Sequence, residues 1–233
     1  MEQHVTGTII TVQGEHSAWY PAERATVRAT VHAFGAKREP VFARALAAAE
    51  TLRNQIEPMV DKQAGPVTWW SSDRVSVWSE RPWNNEGKQL SLVYHASLDV
   101  TAKFKDFDAL SRWVEGAAVI EDVTIAYVTW DLTEATKTSA NTEVRSRAVK
   151  DAVAKASVFA QAVGLAKVSA IAIADPGMLG DQSSGGGYPQ PAMMKASMRG
   201  GGAFDAQSAA PQLQLKPEEI AISSVVDARF SAS

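Results

Sequence analysis

Residues 90–104 read Leu90-Ser-Leu-Val-Tyr-His-Ala-Ser-Leu-Asp-Val-Thr-Ala-Lys-Phe104. Leu90, Leu92, Tyr94, Ala96, Leu98, Val100, Ala102 and Phe104 fall on one parity, and Ser91, His95, Ser97, Asp99, Thr101 and Lys103 on the other. A period of two over such a length marks a strand with one buried and one polar face. A slip of one residue would turn every apolar group outward, so the register is fixed by burial. Glu23–Phe34 repeats the pattern: Val27, Ala29, Val31 and Ala33 alternate with Arg28, Thr30 and His32. Two long strands, each with one apolar side, need helices or a second sheet to cover them.

The flanking segments supply those elements. Val5–Val12 is β-branched and reaches Gly14, which predicts a first strand ending there, with the Trp19-Tyr20-Pro21 run as a break. Pro40 suits a first helical turn, Phe42, Ala45, Ala49, Leu52 and Ile56 recur at helical spacing, and Pro58 stops the helix near Glu57. Residues 67–78 predict a strand joined to 88–104 through a polar turn at Pro82, Asn84, Asn85 and Gly87. Alternation counted from Val67 would turn Val67 and Trp69 inward and Trp70 and Trp78 outward. Asp106 caps a short helix carrying Phe107, Leu110 and Val114. Val123–Trp130 predicts a strand. Thr133 opens a long helix to about Val163 with Val144, Ala148, Ala152, Ala156, Phe159 and Val163 as its stripe, and Gly164 ends it. Val168–Ala174 and Ile220–Phe230 predict two further strands. Between them, 178–214 turns to Gly, Ser, Pro, Gln and Ala, which predicts a flexible Gly-rich loop before the C-terminal strand. The expected fold class is α+β, with largely antiparallel sheets packed with helices. The expected organisation is a single domain over 1–233, with two α+β sub-structures at about 1–104 and 105–233. Strands near the chain ends, at Val5–Val12, Glu23–Phe34 and Ile220–Phe230, are the expected sheet edges.

Composition narrows the function classes. The 233 residues carry 23 Lys+Arg against 26 Asp+Glu, a formal charge of −3, and no cysteine. The balance argues against nucleic acid as a partner, although exposed aromatics on a βαβ pattern would otherwise suit an RNA-recognition-like sheet. Without cysteine there is no disulfide, no thiolate metal site and no Cys nucleophile. No apolar run reaches the roughly 18 residues of a membrane helix, so no integral membrane segment is expected. No basic-then-apolar leader is visible, which points to the cytoplasm. The alternative is a periplasmic or envelope-associated protein whose signal peptide has been removed.

The chemical motifs are sparse. His4, His16, His32 and His95 show no His-x-x-x-His or Glu-x-x-His spacing, and His32 and His95 sit on the polar faces of their strands, so no metal site is expected. Asp106-Phe107-Asp108 is a cap with a favourable dipole placement rather than a metal-binding pair. Gly185–Gly187 and Gly200–Gly202 lack the Lys-Ser/Thr that a phosphate loop needs, and no Gly-x-Ser-x-Gly elbow exists. Met193, Met194 and Met198 offer thioethers that suit either a soft metal or adaptable packing. No catalytic residue and no cofactor follow from these motifs. The unusual feature is tryptophan, seven in all. Trp69, Trp70, Trp78 and Trp83 lie in or beside one predicted hairpin, where they form either an oligomer interface or ligand shelf, or a second small core.

A family resemblance covers most of the chain. Thr133-Glu134-Ala135, Arg145-Ser-Arg-Ala148-Val149-Lys150-Asp151-Ala152-Val153-Ala154-Lys155-Ala156, Phe159-Ala160, Val163-Gly164-Leu165 and Val168-Ser169-Ala170-Ile171 resemble the helix-to-strand passage of the SIMPL-domain family. Pro191-Ala-Met-Met194-Lys-Ala-Ser-Met198 and the tail from Pro217 to Phe230 are similar to it as well. That family includes bacterial periplasmic and outer-membrane antigens. The resemblance implies a non-enzymatic accessory or scaffold role, linked to the cell envelope or stress, and a homo-oligomer. The competing class is a small-molecule binder or enzyme with a pocket near the Trp-rich hairpin. The hairpin itself maps onto no motif of the family.

If 178–214 is a loop with neighbouring ends, deleting most of it should leave the melting temperature nearly unchanged. A large fall in a calorimetric scan would place the segment within the packed fold.

Overall fold

The computed structural model describes residues 7–179 and 215–233. In chain order the elements are β1 (Thr8–Tyr20), β2 (Arg24–Gly35), α1 (Arg38–Ile56), β3 (Val67–Ser72), β4 (Ser76–Glu80), β5 (Val93–Phe104), α2 (Phe107–Ala118), β6 (Val123–Asp131), α3 (Glu134–Ala162), β7 (Val168–Ala174) and β8 (Ile220–Ala232). The predicted loop at 178–214 lies almost wholly outside the described residues, as do Met193, Met194 and Met198. Among the described residues no helix is long and apolar enough to cross a membrane.

The chain divides into two compact units. One comprises Pro21–Thr133 and Pro211–Ile220, the other the described parts of Met1–Tyr20, Glu134–Ala210 and Ala221–Ser233. The division therefore falls at Tyr20/Pro21 and Thr133/Glu134 rather than near 104–105. The reason is pairing: β5, which ends at Phe104, shares β2 with β6, so a cut after 104 would split one sheet.

In the Pro21–Thr133 unit, β2 pairs antiparallel with both β5 and β6, while β3 and β4 both pair antiparallel with β5. The strand order is β3-β5-β2-β6, with β4 following β3 along β5. Counting β3 and β4 as one interrupted strand gives the β-α-β-β-α-β connectivity of a split βαβ unit. The alternation is as read: Ala25, Val27, Ala29, Val31 and Ala33 of β2 are buried, as are Ala96, Leu98, Val100, Ala102 and Phe104 of β5. α1 and α2 cover this face with Val41, Ala45, Ala48, Leu52, Ile56, Leu110, Trp113 and Val114. Each of the larger groups contributes about 1.5–3 kcal/mol by burial.

Three expectations change here. The α1 stripe starts at Val41 rather than Phe42, which is 39% exposed: the buried line runs Val41, Ala45, Ala48, Leu52 and Ile56, at spacings of four and three. The strand predicted over 88–104 begins only at Val93, leaving Leu90 45% exposed. Upstream, Asn84 Oδ1 accepts from the Glu86 and Lys88 amides and Gly87 takes φ +74°, a turn that holds the chain off the ladder. Finally, β2 is central in its sheet, not an edge, because the chain returns on both sides of it.

In the other unit the strand order is β1-β8-β7. β8 is thus also central, and of the strands expected at edges only β1 lies at one. The strand does not stop at Gly14 but runs to Tyr20. Gly14 is instead a point of close approach: a Cβ there would lie 2.1 Å from the Ala148 carbonyl oxygen and 2.7 Å from the Ala152 Cβ. α3 buries Ala140, Val144, Ala148, Ala152, Ala156 and Ala160, one small residue per four, and the last four of these cluster with Ile10 of β1 and Val226, Ala228 and Phe230 of β8. Phe159 and Val163, placed in the stripe by sequence, are 56% and 64% exposed, because the buried line keeps to a strict spacing of four. The helix ends as expected: Leu165 N–H reaches the Ala160 carbonyl at 2.9 Å, Gly164 N–H reaches Gln161 at 3.0 Å, and Gly164 has φ +80°.

Gly14→Ala should cost at least about 1–3 kcal/mol of stability, the ordinary cost of overpacking, because backbone rather than a movable side chain occupies the space. Urea denaturation measures it; a variant as stable as the parent would refute the close approach.

Candidate functional site

The helices cover one face of the Pro21–Thr133 sheet, and the polar parity of β2, β4 and β5 forms the opposite face. Antiparallel pairing decides which side chains meet there. Trp78 stands opposite His95, and Phe34 of β2 is opposite the same histidine on the other side. His32 is opposite Ser97 and so diagonal to His95. The rings of Trp78 and His95 are stacked at 5.2 Å and 9°, those of His32 and Trp78 at 5.8 Å and 4°. His32 Nε2 lies 3.2 Å from His95 Nδ1. On its other side the buried His95 Nε2 faces Glu80 Oε1 at 3.4 Å, within ion-pair range but without a closed hydrogen bond. A carboxylate and two imidazoles thus form a line across three strands.

Further along the same face, Thr30 stands opposite Asp99 and donates to its Oδ1 at 2.5 Å, while Arg28 forms an ion pair with Asp99 Oδ2. The hydrogen bond from Arg28 holds the Asp99 carboxyl below its ordinary value, against the opposing effect of burial. Arg28 is raised in turn, chiefly by Asp99 and then by Tyr127, its partner across β6. Lys103 lies over the Trp69 ring, 5.3 Å from its centre.

The four tryptophans separate. A β-bulge between Val67 and Trp69 resets the alternation, so Val67 stays in the core, Trp69 pairs with Lys103 on the open face and Trp70 pairs with Ala102 on the core side. The expectation that Trp70 and Trp78 share the outer face is thereby corrected: Trp69 and Trp78 share it, each 44% exposed. Trp83 lies apart in an isolated bridge with Gln89 and is 66% exposed. Where β3 breaks from β4, two grooves open. One, of about 690 Å³, is lined by Ser72, Asp73, Arg74, Trp78, Ser97 and Asp99 among others. The other, of about 580 Å³, includes Leu46, Arg53, Trp70, Val75, Leu98 and Val100 in its lining.

His32 and His95 do lie on the polar strand faces, as read. Their nearness, and the part played by Glu80, Arg28 and Asp99, had no sequence signal, because alternation assigns a parity but not the neighbouring strand. Asp106 caps α2 as expected, accepting from the Ala109 amide at 2.9 Å. Among the described residues no three His, Asp or Glu side chains form a group that could hold a metal ion.

Compared with known families, residues 10–230 match the model described as SIMPL, protein of unknown function (DUF541). No curated protein matches the chain.

A carboxyl depressed on folding stabilises the fold above its ordinary value, near 3.8, and loses that contribution as pH falls through the lower folded value. Asp99→Asn should therefore cost roughly 0.5–1 kcal/mol at neutral pH, with the difference from the parent closing below about pH 4. Urea melts at pH 7, 4 and 2.5 test it; a difference that persists at the lowest pH would contradict the pairing.

Proposed function

The chain belongs to the SIMPL family, and on that premise we propose that it acts as a non-enzymatic accessory or scaffold protein that self-associates, in a role tied to the cell envelope or to stress. The observation that carries self-association is the outer edge of β6. This strand has nine residues and, among the described residues, pairs only with β2. An unpaired edge offers a row of N–H and C=O groups that a second strand can complete. Native edges are blocked by lysine, proline or inward charge, and Val123–Trp130 contains none of these. The bulge that leaves Ala126 unpaired, between Ile125 and Tyr127, is its one interruption. Exposed aromatic surface on the same sheet, at Trp69, Trp78, Phe34 and Tyr127, adds apolar area of the kind that interfaces bury.

A second reading, a small-molecule binder, is supported by the two grooves beside Trp70 and Trp78, whose volumes lie within the usual range of ligand sites. Saturable binding of a small molecule that Trp70→Ala abolishes, in a chain that stays monomeric, would favour it over the scaffold.

Light scattering through a micromolar dilution series should report a mass above the 25.0 kDa of one chain. A monodisperse single-chain mass throughout would defeat the reading. Lysine at Ala126 and Thr129 should dissociate the assembly and leave far-UV circular dichroism unchanged. Trp70→Ser, by contrast, should lower the melting temperature, because this ring packs against the helix-covered core.

A further inference from the structure

Two imidazole nitrogens bound to one tetrahedral zinc ion, each at about 2.0–2.1 Å, stand about 3.3–3.4 Å apart. His32 Nε2 and His95 Nδ1 are 3.2 Å apart, with ring centres separated by 5.3 Å. Metal-bound histidines characteristically present their other ring nitrogen to a carboxylate, which sets the tautomer and raises the basicity of the ligating atom. His95 has that arrangement, with Nε2 buried and facing Glu80 Oε1 at 3.4 Å. We propose that His32 and His95 chelate one divalent transition ion of the zinc type on the open sheet face, with Glu80 orienting His95.

The protonation states are consistent. A neutral His95 with its proton on Nε2, toward Glu80, leaves the Nδ1 lone pair for the ion. A neutral His32 with its proton on Nδ1 leaves Nε2. Without the ion, one of the two facing nitrogens carries the proton of their contact; when the ion binds, that proton moves to the far nitrogen of its own ring, so no net proton is released from neutral rings. Strand geometry preorganises the pair: β2 and β5 are adjacent and antiparallel, and both sit in the interior of the sheet. Trp78 stacks against both rings, and the His95 side chain is only 13% exposed, so its orientation is held before the ion arrives. With two protein ligands, the remaining tetrahedral positions are filled by water. Exchangeable binding is therefore expected rather than a structural ion, which would use four protein ligands.

Titration of the whole chain with Zn2+ alone, followed by calorimetry and by the imidazole signals in NMR, tests this. The expected result is saturable binding of one ion per chain at concentrations up to about 100 µM, far weaker than a structural zinc. His32→Ala and His95→Ala should each abolish it, and Glu80→Gln should weaken it roughly 10–100-fold. A His4→Ala/His16→Ala double variant should bind as the parent does. His32 is exposed, so its variant is expected to fold. If His95→Ala fails to fold, His32→Ala and the parent's ring shifts decide alone. Absence of saturable binding in the parent, or binding undiminished in His32→Ala, would overturn the proposal.

Discussion

The antiparallel pairing of β2 with β5 governs the Pro21–Thr133 unit. Eleven residue pairs, from Ala25 opposite Phe104 to Gly35 opposite Tyr94, lock two alternating sequences into one register. With a period of two, that register places Ala25–Ala33 of β2 and Ala96–Phe104 of β5, taken at alternate positions, on one side and Arg28, Thr30, His32, His95 and Asp99 on the other. The apolar side draws α1 and α2 onto it. Among the described residues no helix of the unit lies over the polar side, and there Arg28, Thr30 and Asp99 satisfy one another while His32, His95 and Trp78 stack. Moving either strand by one residue would bury the ion pair and expose the core together.

The other unit relies on small residues instead. α3 presents alanine at nearly every buried position, and Gly14 lets the helix backbone approach β1 more closely than any side chain would allow. Asp151 ties the two elements together: it accepts from the Glu15 amide and from Lys155, and these bonds hold its carboxyl below the ordinary range. The alanines that look undemanding in sequence are thus a steric requirement. Larger residues on this line would push the helix off the sheet.

The open face also explains why chemistry is hard to read from the chain. His32 and His95 are 63 residues apart. Glu80 reaches them from a short strand that follows a break. None of the three belongs to a motif, and their convergence depends on the diagonal between adjacent strands. Trp69 and Trp70 show the same difficulty at closer range. One bulged residue, invisible in the sequence, exchanged their faces and turned an expected outer pair into one outer and one inner ring.

By itself the sequence determined the α+β class, the helix stops at Pro58 and Gly164, the Asp106 cap, the core parity of β2 and β5, and the family. The structural features follow from local chemistry: a proline with no N–H to donate and a ring that crowds the preceding turn, a glycine free to take positive φ, a short acceptor side chain, or a period of two. Only the tertiary structure decided the strand order, the centrality of β2 and β8, the division at Tyr20 and Thr133, and the meeting of His32 with His95. These depend on which strands become neighbours and where a ladder slips, and alternation is the same whichever partner a strand finds.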